Sequence, residues 1–203
     1  MHSEKLTKTA TKTVFKSAPT VLILASGRGE RFLASGGTTH KLQALLGGKT
    51  VVQHTLDAVK ASGLPWHVED GGHPGMGDSI AAAVSKTPNA HGWLILPADL
   101  PLILPATLLQ VSQALQTNDV VLPCYVNDGV EQRGHPVGFG AVCKKDLLNL
   151  SGNKGAAGVI AAYAAMKLIV KDIDIVTDID TVDDLARAED LMKSRSFTIN
   201  IGF

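Results

Sequence analysis

Apolar residues along this chain follow two habits: short unbroken runs, and stretches where they recur every third or fourth position. The first run, Val21–Ala25, is closed by Ser26-Gly27-Arg28-Gly29-Glu30-Arg31. Such a run with polar flanks reads as a strand buried on both faces. Gly92–Leu96, Asp119–Cys124, Val137–Val142 and Lys167–Val170 read the same way, and Trp66–Val68 as a shorter strand. Between them the spacing predicts helices. Val51–Lys60 puts Val52, Leu56 and Val59 on one face. Ile80–Lys86 can be capped by Asp78 and Ser79. Pro105–Leu115 starts on proline and aligns Leu108, Val111 and Leu115. Lys144–Leu150, Ala156–Met166 and Val182–Met192 complete the set, the last capped by Thr181 with Asp184 in the box-like position. Gly71–Gly77 and Gln132–Pro136 read as loops, and Phe197–Phe203 as an edge strand or tail.

Strands alternating with helices argue for one α/β domain, a mostly parallel sheet flanked by helices. The expected limits are a disordered tail over 1–19, the domain over 20–193 and a C-terminal tail over 194–203. Such sheets bind ligands at the carboxyl ends of their strands. Three polar clusters fall there: the Gly27–Arg31 loop, Asp99, and Asp178 with Asp180. The long loop through Ala34–Thr39 to Lys41 is expected to be mobile or to close over a ligand.

Composition narrows the possibilities. The chain has 203 residues, and 19 basic side chains balance 19 acidic ones. This balance offers no electrostatic case for nucleic acid or an anionic membrane, so any anion site must come from local placement. Cys124 and Cys143 form no Cys-x-x-Cys pair and read as buried free thiols of a reducing compartment. No apolar run has the eighteen or so residues of a membrane helix. The first eighteen residues lack the apolar core of a secretory signal. A cytoplasmic protein is expected.

The chemistry begins at the first strand. Gly27 and Gly29 let backbone N–H groups approach phosphate oxygens, and Arg28 and Arg31 can add paired hydrogen bonds. Alone, Gly-x-Gly is weak: a dinucleotide fingerprint lacks its third glycine, and Gly36–Lys41 supplies no Walker A loop. Asp99 ends an apolar strand, where a carboxylate must be paired, hydrogen-bonded or on a metal, or else starts the turn Asp-Leu-Pro. Asp178 and Asp180 would point to one side of an extended backbone, or serve the cap of the next helix. Two carboxylate sites with arginines and a lysine suit a metal–triphosphate complex. His40, His54, His67, His73, His91 and His135 are scattered without metal-ligand spacing and read mostly as surface residues.

Six blocks in order resemble the MobA-like nucleotidyltransferases over roughly residues 20–193. They are Leu24-Ala-Ser-Gly-Arg-Gly-Glu-Arg31-Phe32 with Lys41, Gly75-Met-Gly-Asp-Ser79, Leu96-Pro-Ala-Asp99-Leu-Pro101, Gln132-Arg-Gly-His-Pro136, Gly152-Asn-Lys-Gly155 and Asp178-Ile-Asp180-Thr. The Arg-Gly-His-Pro and Gly-Asn-Lys-Gly blocks are most similar to the molybdenum cofactor cytidylyltransferase-like branch. The resemblance implies a Rossmann-like nucleotidyltransferase fold that joins the nucleoside monophosphate of an NTP, CTP favoured over GTP, to a phosphorylated acceptor. It implies molybdopterin as that acceptor, Mg²⁺ as cofactor, pyrophosphate as leaving group and a molybdenum hydroxylase apoenzyme as a possible partner. It assigns catalysis to Arg31, Lys41 and Asp99. The nucleotide falls to Leu24, Ala25, Ser26, Gly27, Arg28, Gly29 and Ser79, with Leu24–Ser26 facing the base. Gly134, His135 and Pro136 face the acceptor, and Asp99 and Asp180 hold the metal.

Three features depart from the family pattern. Pro97-Ala98 replaces a glycine before Asp99, nine residues separate Arg31 from Lys41, and Gly63–Gly75 is too short for the usual strand, helix and second strand. Two alternatives stand beside the first reading: another phosphorylated acceptor, such as a sugar or alcohol phosphate, or a non-catalytic protein that binds nucleotide or pterin.

Overall fold

The computed structural model describes residues 17–200, with side chains as far as Arg195. In chain order the elements are β1 (Thr20–Leu24), α1 (Glu30–Ala34), β2 (Leu45–Leu46), β3 (Lys49–Thr50), α2 (Val51–Ser62), β4 (Trp66–Glu69), α3 (Met76–Lys86) and β5 (Gly92–Pro97). There follow α4 (Pro105–Ala114), β6 (Val120–Asn127), β7 (Val130–Arg133), β8 (Val137–Gly140), α5 (Lys144–Leu148), α6 (Ala157–Ala162), β9 (Ala165–Ile169) and α7 (Val182–Asn200).

The sheet runs β4-β1-β5-β8-β6, with β7 and β9 both on β6. β1 lies parallel to β4 and β5, and β9 parallel to β6; β8 is antiparallel to both of its neighbours and β7 to β6. Five of the seven strands therefore point one way, and the sheet is mostly parallel as expected. Alternation across the pleat divides the core in two. Val21, Ile23, Leu94 and Leu96 face one side with Val51, Val59, Leu108, Val111 and Ala188, from α2, α4 and α7. Leu22, Leu24, Trp93 and Ile95 face the other with Ile80, Ala83, Val84, Leu147 and Val159, from α3, α5 and α6. Burial on both faces is why β1 and β5 read as unbroken apolar runs.

Several boundaries differ from expectation. In α2 the buried face is Val51, Thr55, Val59 and Ser62, while Val52 and Leu56 are only partly buried. β6 continues into a hairpin with β7, so Val130–Arg133 is strand where no strand was expected. Its two-residue turn has positive φ at Asp128 (48°) and Gly129 (79°), the geometry that Asp-Gly favours. Helix α6 stops at Ala162, because Ala165 and Met166 pair with Val120 and Val121 in β9. Asp78 does not cap α3, which starts at Met76; its carboxylate accepts the N–H of Gly152 at 2.9 Å, and Gly77 donates to the Gly152 carbonyl at 2.8 Å. A Cβ on Gly75 would lie 2.4 Å from Gly152, and one on Gly77 2.8 Å from Ser151, so glycine permits this backbone crossing. The cap of α7 forms as read: Thr181 Oγ1 accepts the Asp184 N–H at 3.2 Å, and Asp184 Oδ2 accepts the Thr181 N–H at 2.7 Å. That helix continues through residues 197–200, in place of an edge strand; 201–203, like 1–16 of the expected tail, lie outside the described residues.

The Gly63–Gly75 stretch holds one strand, β4, at the sheet margin, and a short loop returns directly to α3. No described helix is long and apolar enough to cross a membrane. Cys124 and Cys143 are buried free thiols, as expected.

Candidate active site

Parallel strands bring the ends of β4, β1 and β5 to one edge of the sheet. β8 runs the other way, so its start meets the same edge. A cavity of about 780 Å³ opens there.

Its floor is the loop after β1. Leu24, Ser26, Gly27, Arg28 and Gly29 line it, whereas Ala25 does not: its N–H is spent on the Glu69 carbonyl at 2.8 Å. A Cβ on Gly27 would meet nothing within 4 Å, so this backbone is open to a ligand. Gly29 adopts φ 67° and a Cβ there would press to 3.3 Å against His40. His40 accepts the Leu42 N–H on Nδ1 at 3.3 Å, so Nε2 carries the proton and donates to the Gly27 carbonyl at 2.8 Å. His40 thus clasps the glycine loop to the turn that carries Lys41. No spacing in the sequence announced this role. The loop between them is tied down as well: Gly37 donates to the Phe32 carbonyl at 3.0 Å, and Ser35 Oγ accepts the Val182 N–H at 3.0 Å.

The charged centre assembles across the chain. Lys41 Nζ lies 2.5 Å from Asp99 Oδ2 and 2.8 Å from Asp180 Oδ1, and an Arg31 guanidinium nitrogen lies 2.7 Å from Asp180 Oδ2. Burial depresses the Lys41 pKa, but the two carboxylates outweigh burial and hold it above its ordinary value. Ile179, fully buried, lies between Asp178 and Asp180, and both acids line the cavity. Burial pushes the Asp178 carboxyl up, and the charges of Asp99 and Asp180 push the same way. Asp99 Oδ1 is buried without a hydrogen-bond partner. Oxygen-rich acids with one orphaned oxygen fit a hard divalent cation. Among the described residues no ready-made group of three metal-ligating side chains exists; Lys41 holds one oxygen each of Asp99 and Asp180.

On the far side, Gly134 and His135 line the cavity, but Pro136 is buried outside it. A Cβ on Gly134 would lie 2.4 Å from the Ile175 carbonyl, so glycine is required where the link between β7 and β8 passes Ile175. Burial lowers the His135 pKa against the opposing pull of the Ile95 carbonyl and Asp99, and its Nδ1 is buried without a partner. Arg133 joins this wall. Ser79 lines the cavity beside Gly75, its hydroxyl donating to the Gly75 carbonyl at 3.2 Å, and Asn153 lies against the same Gly75 backbone.

His73, two residues before Gly75 and one of the scattered histidines, also lines the cavity. Its Nε2 is 3.0 Å from Oε1 of Glu69, a fully buried carboxylate at the end of β4. Burial would raise the Glu69 pKa, but Lys86, His73, the Gly71 N–H and His67 together hold it at about 2.

A family model described as the MobA-like NTP transferase domain matches residues 57–167. This chain belongs to the MobA-like NTP transferase family. Solved structures agree on the fold. Rv0371c from Mycobacterium tuberculosis H37Rv, also solved in complex with manganese, superposes with a TM-score of 0.70 at 22% identity over 86% of this chain and 99% of its own. A nucleotidyl transferase from Methanothermobacter thermautotroptrophicus, Mth528, gives 0.70 at 18% over 88% and 99%. Molybdopterin-guanine dinucleotide biosynthesis protein A from Archaeoglobus fulgidus gives 0.61 at 18% over 86% and 99%. A separate 24-residue match, 83% identical, covers 12% of this chain and 18% of the putative LysR family substrate binding domain-containing protein YagP of Escherichia coli. In this chain the glycine loop, the cations and the acids meet at one edge of the sheet.

Proposed function

We propose that this protein is a divalent-cation-dependent nucleotidyltransferase. It joins the nucleoside monophosphate of an NTP, CTP favoured over GTP, to a phosphorylated acceptor, molybdopterin, and releases pyrophosphate. The observation that carries this reading is the meeting of Arg31 and Lys41 with Asp99, Asp178 and Asp180 beside an open glycine backbone.

Gly27 and Gly29 receive the triphosphate on their backbone N–H groups, and Arg31 and Lys41 offset its charge. An acceptor phosphate oxygen, held near Arg133 and His135, attacks the α-phosphorus. The new P–O bond forms as the bond to the bridging oxygen breaks, and the electron pair leaves with pyrophosphate. No side chain forms a covalent intermediate, so positioning and charge neutralisation supply the acceleration. Asp99 and Asp180 would hold Mg²⁺, with Asp178 in reserve; the ion supplies charge neutralisation at the phosphates. Lys41 must then give up its two carboxylate contacts, which frees it for the phosphates. The Arg-Gly-His-Pro and Gly-Asn-Lys-Gly blocks favour molybdopterin and CTP.

The test is pyrophosphate release with Mg²⁺ or Mn²⁺, comparing CTP, GTP and ATP with and without molybdopterin. Release with CTP that depends on the pterin is expected, and Asp99→Asn should lower it on the order of a thousandfold. Release without pterin dependence overturns the acceptor. A wild-type rate in Asp99→Asn overturns the metal role, and no release with any nucleotide overturns the reading.

A further inference from the structure

The short return from β4 to α3 leaves one imidazole, His73, on the cavity wall beside Leu24 and Ser26. The ring is fixed in place. Its Nε2 is 3.0 Å from Glu69 Oε1, which also accepts the Gly71 N–H at 3.1 Å, while Lys86 Nζ holds Oε2 at 3.0 Å. A Cβ on Gly71 would lie 2.8 Å from Glu69 Oε1 and 2.9 Å from His73 Nε2, so only glycine lets these groups meet. The tautomer is fixed too. An ionised carboxylate can only accept, so the proton of this bond sits on Nε2 and the neutral ring keeps its lone pair on Nδ1. That atom has no partner among the described residues and is not sealed from solvent.

Glu69 also supports the neighbouring wall. Its backbone carbonyl takes the Ala25 N–H at 2.8 Å and the Ser26 hydroxyl at 3.2 Å. One residue therefore holds both His73 and the loop after β1. The sheet order sets the direction. β5 with Asp99 lies on one side of β1, and β4 with His73 on the other. With the triphosphate on Gly27–Gly29, the β4 side of the cavity, lined by Leu24, Ser26 and His73, is left for the base.

We propose that His73 selects the base, its Nδ1 accepting a hydrogen bond from an exocyclic amino group, with Glu69 as the positioning residue. The proposal rests on the nucleotidyltransferase reading. An oxo group in the place of the amino group sets lone pair against lone pair, and a base without the group leaves Nδ1 unmet.

The test compares nucleotides that differ at the amino group, CTP against UTP and GTP against ITP, by calorimetric binding and by pyrophosphate release. Wild type is expected to favour the amino-bearing member of at least one pair by about tenfold. His73→Ala should bring that ratio near unity, and His73→Asn, whose amide oxygen still accepts, should keep part of it. Glu69→Gln should lower the ratio, and the ¹⁵N shifts of His73 should report a mixture of tautomers in place of Nε2–H alone. An unchanged ratio in a folded His73→Ala overturns the proposal, while pyrophosphate release by wild type leaves the transferase reading standing. Binding with the His73-dependent ratio but no release overturns the transferase reading alone. No binding of any nucleotide overturns both.

Discussion

Two fully buried carboxylates flank the cavity, and their protonation goes opposite ways. Glu69, at the end of β4, is held at about 2. Asp174, in a 3₁₀ turn at Ile173–Val176 ahead of the Asp178–Asp180 loop, is pushed up to about 6 by burial. Arg195 from α7 meets both Asp174 oxygens, with contacts of 2.6 and 2.7 Å, yet does not reverse the effect of burial. The neighbours differ. Glu69 gathers Lys86, two imidazoles and a backbone N–H. Asp174 has one guanidinium, and Asp172 beside it, which takes the Asp174 N–H at 3.0 Å and the Thr107 hydroxyl, pushes it up further. Burial alone does not set a carboxylate's state; the donors gathered around it do. The β4 side of the cavity thus rests on a satisfied anion, and the side of Asp178 and Asp180 on a marginal one.

The hardest way to break this comparison is Glu69→Ala. It leaves Lys86, His73 and the Gly71 N–H without their acceptor, and a loss of about 2–3 kcal/mol in urea unfolding is expected. A loss under about 1 kcal/mol would make the cluster a bystander.

The pH dependence separates the two sites by sign. Glu69 has a depressed pKa, so its contribution is present above its unfolded value of 4.5 and is lost as pH falls toward about 2. Asp174 has a raised pKa, so its contribution is full below 3.8 and is lost as pH rises through about 6. Asp174→Asn should therefore flatten the fall in stability between about pH 4 and 6, worth about 2 kcal/mol. An unaltered slope in that variant would refute the assignment.

Arg195→Ala should give the smallest effect. At pH 7.5 it strands Asp174 and costs about 1 kcal/mol, less at pH 5, where Asp174 takes a proton and needs no partner. Equal losses at the two pH values would mean that Arg195 acts by packing and not by charge.

Much of the fold was legible because its signals are local. β1 and β5 are covered on both faces, so their apolar runs carry no polar interruption. Thr181 and Asp184 sit three residues apart and cap α7 within one turn. The hairpin of β6 and β7 had its signal too, in Asp128-Gly129, but its exposed strand β7 offers no apolar run to read. Ala165 and Met166 went to strand for a reason no local window contains: pairing with β6 outweighs their helical leaning. The candidate site was legible through its blocks, which named Arg31, Lys41, Asp99 and Asp180. His40, Glu69 and His73 belong to no block, and their roles follow from what the fold sets beside them.

The sequence by itself determined the alternation of strand and helix, the glycine-closed turn after β1 and the acids at strand ends. Each depends on side-chain period, burial or φ within a few residues. Only the tertiary structure decided which charges meet. Lys41 reaches Asp99 across 58 residues and Asp180 across 139. Sheet order brings those strand ends to one edge, and buried charges there must find partners, whatever their separation along the chain.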